Sequence, residues 1–78
     1  MRGKEVLDLG CGDGRFALAL APLALRVEGL DPDAEAIAEA RKVARRSGRR
    51  NMRFRVGAAQ QLPYRDAAFD VVILSWTL

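Results

Sequence analysis

The sequence predicts an α/β fold: a parallel sheet of four strands in the order 3-2-1-4, one half of a doubly wound, three-layer α/β/α arrangement. Three observations carry this expectation. Short apolar runs alternate with helical patterns, as βαβ units do. The third run is interleaved with arginine and reads as an edge strand. The first and fourth runs are apolar enough to lie inside a sheet covered on both faces, and right-handed crossovers then leave one economical strand order.

The elements follow in chain order. Glu5-Val6-Leu7-Asp8-Leu9 reads as the first strand, and it stops at Gly10-Cys11-Gly12-Asp13-Gly14. Three glycines at alternate positions mark a turn that admits positive φ and lets a ligand approach the backbone. Phe16 to Ala21 is rich in helix formers, and Pro22 ends or kinks that helix. Arg26-Val27-Glu28-Gly29-Leu30 reads as the second strand, and Asp31-Pro32-Asp33 opens the next helix with an acidic cap. Ala36, Ile37, Ala40, Val43 and Ala44 form its apolar face, and Gly48 fits the position just past its end. Met52-Arg53-Phe54-Arg55-Val56 alternates and gives the third strand. Gly57 to Asp66 reads as a loop. Phe69 to Leu74 forms the fourth strand, expected to be buried on both faces.

Ligands of open α/β sheets bind beyond the carboxyl ends of the strands, where the strand order reverses. Here that point lies between strands 1 and 4. The Gly10–Gly14 turn, Asp31-Pro32, the segment Gly57–Gln60 and Ser75-Trp76 converge on it. The turn offers backbone N–H groups, and a carboxylate ending strand 2 can accept hydrogen bonds from both hydroxyls of a ribose. From the residues alone, the ligand is nucleoside-containing.

Val6 to Gly14 resembles the first motif of class I S-adenosylmethionine-dependent methyltransferases. Val27-Glu28-Gly29-Leu30-Asp31 resembles the second, Phe54 through Leu62-Pro63-Tyr64 the third, and Phe69 to Trp76 the fourth-strand segment. The pattern is that of the "methyltransferase domain 11" type. The resemblance implies a Rossmann-like cofactor domain over residues 1–78 that looks truncated after strand 4. It implies S-adenosylmethionine as cofactor. Asp8, Gly10, Cys11, Gly12 and Gly14 would hold its methionine part, Asp31 its ribose, and Pro32 would pack on the adenine. Ala58, Ala59 and Gln60 would meet the adenine edge, and Ser75 and Trp76 would line the methionine side. One position departs from the pattern. Ala58 stands where the family often has an aspartate, so backbone groups of Ala59 or Gln60 would take over that contact. No catalytic base is assigned, because in-line methyl transfer rests largely on proximity and orientation.

Composition narrows the field. The chain has 78 residues, one cysteine, no histidine and a net charge of +3. That excludes an intramolecular disulfide and a Cys/His zinc site. No apolar run approaches a membrane span, and no signal peptide is visible, so a reducing cytoplasmic setting is expected. Arg41, Lys42, Arg45, Arg46, Arg49, Arg50, Arg53 and Arg55 form a stretch without any acid. They fall away from the ligand end and read as a solvated helix terminus and a protected edge strand, which favours a small-molecule acceptor over a nucleic acid. The open apolar edge of strand 4 predicts a homo-oligomer or a partner chain. Two rivals stay open. One is a non-catalytic cofactor-binding or oligomerisation module. The other is an NAD(P)/FAD dinucleotide-binding domain, since Gly12-x-Gly14-x-x-Ala17 with Asp31 downstream fits that fingerprint.

Overall fold

The computed structural model describes residues 2–58 and 68–74. Its elements are β1 (Glu5–Leu9), α1 (Arg15–Leu20), β2 (Arg26–Asp31), α2 (Ala34–Ser47), β3 (Met52–Val56) and β4 (Val71–Leu74). All strand pairs are parallel, in the order β3-β2-β1-β4, as the patterning predicts.

Several boundaries differ from the sequence reading, and the starts of the two helices differ for local reasons. Helix α1 begins one residue early, at Arg15, because Gly14 takes the left-handed conformation (φ 84°) and turns the chain straight into it. Helix α2 opens at Asp33 rather than Asp31. Asp33 Oδ1 accepts from Glu35 N at 3.0 Å and Ala36 N at 3.3 Å, satisfying donors the first helical turn leaves over. Asp31 still belongs to β2, where its carbonyl accepts from Gly57 N at 3.0 Å. Gly48, left-handed at φ 76°, ends α2 as expected.

Both helices pack on one face of the sheet. Val6, Val27, Met52 and Phe54 point to that face and are buried against Ala17, Ala21, Ile37 and Ala40. Burying a side chain such as Ile37 contributes about 1.5–3 kcal/mol. The opposite face carries Leu7, Leu9 and Leu30, packed with Phe69. Here β4 departs from expectation. It starts at Val71, and Val72 and Leu74 are half exposed, at 54% and 53%. The parity of the pleat turns Val71 and Ile73 to the helix face and Val72 and Leu74 away from it.

A clamp at the base of the sheet sets β4 beside β1. Asp70 N donates to Glu5 O and Glu5 N donates to Asp70 Oδ2, both at 2.8 Å. Arg26 pairs with Glu5 at 3.0 Å and lies over the Phe69 ring, 5.5 Å from its centroid. The C-terminal ends of β1 and β4 are thereby held in register, Leu9 opposite Leu74.

Candidate functional site

The chain leaves β1 through Gly10, Gly12 and Gly14, all at positive φ (76°, 56° and 84°). Gly10 N donates to Leu30 O at 2.7 Å, which pins the start of the turn to the top of β2. The last two glycines serve different ends. A Cβ on Gly14 would lie 3.0 Å from Ala40 Cβ and 3.2 Å from Phe54 Cζ, so packing beneath α2 demands glycine there. A Cβ on Gly12 would meet nothing within 4 Å, so the backbone at Gly12 faces open space. That is the side from which a ligand can reach its atoms.

Asp31 holds this turn from the neighbouring strand. Its Oδ2 accepts from Gly12 N at 3.0 Å and its Oδ1 accepts from Asp33 N at 2.8 Å. The second bond closes an Asx turn over Pro32 and fixes that exposed ring beside the crevice. A carboxylate has about four lone-pair directions, so Asp31 retains acceptor capacity after both bonds.

Asp8 is fully buried on the helix face of β1, opposite Gly29. It therefore lies beneath the turn and presents no exposed oxygen to the crevice. Cys11 packs down onto Gly29, where an added Cβ would come within 2.7 Å of its Sγ. Burial pushes the Cys11 thiol up to about 12, and the negative charges of Asp8, Asp31 and Asp13 push in the same direction. The thiol is therefore a packing group and not a nucleophile at neutral pH. Asp13, the third of these carboxylates, is paired with Arg15 at 2.9 Å, which leaves Asp8 and Asp31 as the acidic groups flanking the turn.

The structure thus brings together Asp8, Gly10, Cys11, Gly12, Gly14, Asp31 and Pro32 at the ends of β1 and β2. Gly57 is tied to Asp31, which sets Ala58 beside them at the end of β3. Ala59, Gln60, Ser75 and Trp76, and the Leu62-Pro63-Tyr64 run, lie outside the described residues. Two contributors escape sequence reading. Gly29 leaves room for Cys11 and Phe54 inside β2. Asn51 Nδ2 donates to Ala21 O at 2.8 Å and Ala24 O at 3.2 Å, tying the end of α1 to the start of β3. A small residue within an apolar strand was a signal for the first; an amide in a turn gave none for the second. Among the described residues, no cluster of acidic or cysteine side chains could hold a metal ion, and no helix is long and apolar enough to cross a membrane.

The model of a family described as "Methyltransferase domain" matches residues 6–78. An uncharacterized methyltransferase of Bacillus subtilis, YcgJ, is 39% identical over 68 residues, which cover 87% of this chain and 27% of that protein. The crystal structure of YcgJ superposes with a TM-score of 0.89 at 36% identity, over 92% of this chain and 31% of that one. The ubiquinone/menaquinone biosynthesis C-methyltransferase UbiE of Rubrivivax gelatinosus is 35% identical over 74 residues, 95% of this chain and 28% of that protein. The chain spans little more than a quarter of the length of these relatives.

Proposed function

Since the chain belongs to the methyltransferase-domain family of S-adenosylmethionine-dependent enzymes, we propose that it supplies the methyl-donor site for transfer from S-adenosylmethionine to an acceptor. One observation carries this reading. The open backbone at Gly12 is clamped by Asp31 at 3.0 Å, with Asp8 buried in the strand that leads into the turn. Carboxylates in these two places favour a ligand bearing a sulfonium and an ammonium over the pyrophosphate of a dinucleotide, which weighs against that rival. The relatives' names, too, point to methyl transfer.

In this reading Asp31 accepts from the ribose hydroxyls with its remaining lone pairs, and Pro32 packs on the adenine. Gly10 and Gly12 offer backbone atoms to the methionine part, while buried Asp8 stabilises its positive charge from beneath. Ala58, Ala59 and Gln60 meet the adenine edge, and Ser75 and Trp76 line the methionine side. When bound, the cofactor supplies an activated methyl group on sulfur. The chain's own contribution is orientation and exclusion of alternative poses, which can supply up to about 7–11 kcal/mol of a displacement barrier. A small acceptor fits a crevice flanked by Asp8 and Asp31 better than a phosphate backbone, whose charge has the same sign as theirs. Surfaces beyond the span shared with the relatives would complete the acceptor site.

The test is calorimetric titration of the chain with S-adenosylmethionine and S-adenosylhomocysteine, with NADH in parallel. Binding of the adenosyl compounds and not of NADH is expected. Binding of NADH alone, or of none of the three by a folded sample, would overturn the proposal.

A further inference from the structure

Most of the basic residues collect away from the crevice, between positions 41 and 55. A cavity of about 450 Å³ opens along the outer edge of β3, lined by Arg41, Arg45 and Arg49 from the α2 side and by Arg53 and Arg55 of the strand. The sequence presents these arginines as a solvated helix terminus and an edge guard. The structure joins residues of both elements around one concavity. We propose that this groove docks the phosphate backbone of a nucleic-acid strand.

The charge count is the first argument. Glu28 lies 3.4 Å from Arg55, and none of the described lining residues is acidic. Arg41 donates through Nε and Nη2 to Phe54 O, at 3.2 and 2.8 Å, which orients its guanidinium but leaves its charge uncompensated. One phosphate neutralises at most two such cations. A row of phosphates matches the groove, and the planar guanidinium fork suits phosphate oxygens.

Shape and edge chemistry argue against an added strand and against a membrane surface. Arg41 takes the outward carbonyl of Phe54, so an added β-strand would have to displace it. A flat anionic membrane does not enter a concavity, and the apolar side chains here, Met52 and Phe54, are 9% and 6% exposed and offer no anchor. Among the described lining residues the one aromatic ring, Phe54, is buried and offers no platform for base stacking. Binding would follow the backbone and tolerate any sequence. The groove lies on the sheet edge and not at the crevice, so the docked strand is a partner distinct from the molecule methylated.

The test is fluorescence anisotropy of the full chain with a labelled oligouridine of about 12 nucleotides over a salt series. Arg45→Gln with Arg49→Gln is compared with Arg2→Gln and Lys4→Gln, an equal charge change at the N-terminus. The groove pair is expected to weaken binding at least tenfold near 0.1 M salt and to reduce the log–log salt slope by about 1.4, from two lost contacts at ~0.7 each. The N-terminal pair should stay within about twofold. Arg53→Gln, on the strand, probes the groove independently should the helix pair fail to fold. Equal losses in the two pairs, no binding at low salt, or displacement by polyglutamate as effective as by unlabelled oligouridine would overturn the proposal.

Discussion

Asp31→Asn separates the two tasks proposed for that residue. Aspartate uses both carboxylate oxygens, one for Gly12 N and one for Asp33 N. Asparagine has one carbonyl oxygen, so it can serve one of these donors, and its amide then faces the other. The loss is one charge-assisted bond, worth roughly 1.5–3 kcal/mol. The low end applies because Asp31 is only partly buried. For a domain of this size about 1.5 kcal/mol corresponds to a fall in Tm of about 6–12 °C. Loss of the ribose contact should separately weaken S-adenosylhomocysteine binding by more than tenfold, about 1.4 kcal/mol. Asp33→Asn is the control. There a single oxygen serves both Glu35 N and Ala36 N, so asparagine can replace it with little change. Thermal melts by circular dichroism and calorimetric titration read the two effects. A Tm for Asp31→Asn within about 2 °C of the parent would refute the clamp. A lowered Tm with unchanged affinity would refute the ribose role alone.

Other substitutions test the packing around the turn. Gly29→Ala would set a Cβ 2.7 Å from both Cys11 Sγ and Phe54 Cδ1; it should cost about 1–3 kcal/mol in urea unfolding and weaken cofactor binding by displacing the turn. Asn51→Ala leaves the carbonyls of Ala21 and Ala24 without their side-chain donor and should cost about 1–3 kcal/mol by the same measurement. Cys11 makes stability depend on alkaline pH. Its thiol titrates at about 12 when folded against 9.0 ordinarily, so the unfolded chain releases its proton first as pH rises. Stability from this group is intact below pH 9 and declines by about 1.4 kcal/mol per pH unit between 9 and 12; the difference between parent and Cys11→Ala should trace that slope. Iodoacetamide should label Cys11 at pH 8 only as fast as the chain opens, and rapid labelling of the folded state would contradict the burial.

Strand order was legible because composition tracks position: arginines at 53 and 55 mark an exposed edge, while Val6 to Leu9 mark an interior strand. The start of α2 was harder. Asp31 and Asp33 are equally good caps by type, and only the pairing of Asp31 O with Gly57 N assigns the first to the sheet. For β4, an unbroken apolar run reads as buried on both faces, yet apolar content does not say whether a covering layer lies over Val72 and Leu74. In the candidate site, residue types and spacing disclosed the turn and the carboxylate. They could not disclose that Asp31 also holds Gly12 N, since that bond depends on how β1 and β2 are staggered.

The position of Phe54 explains why so open a turn keeps its shape. A Cβ on Gly14 and a Cβ on Gly29 would each collide with this one ring, at Cζ and at Cδ1. The ring thus fills the space left by two glycines, one ending the turn after β1 and one inside β2. The Phe54 carbonyl is fixed in turn by Arg41 of α2. The glycine turn is accordingly a surface of the core and not a loop laid over it: β3 reaches under it, α2 closes over Gly14 through Ala40, and Asp31 fastens it from the side. A donor site that works by orientation needs such support, because misplacement by about 1 Å can cost roughly a hundredfold in rate. Glycine here combines freedom of conformation at Gly12 with tight packing at Gly14 and Gly29, and the packing makes the exposed backbone a fixed feature to which a ligand can bind.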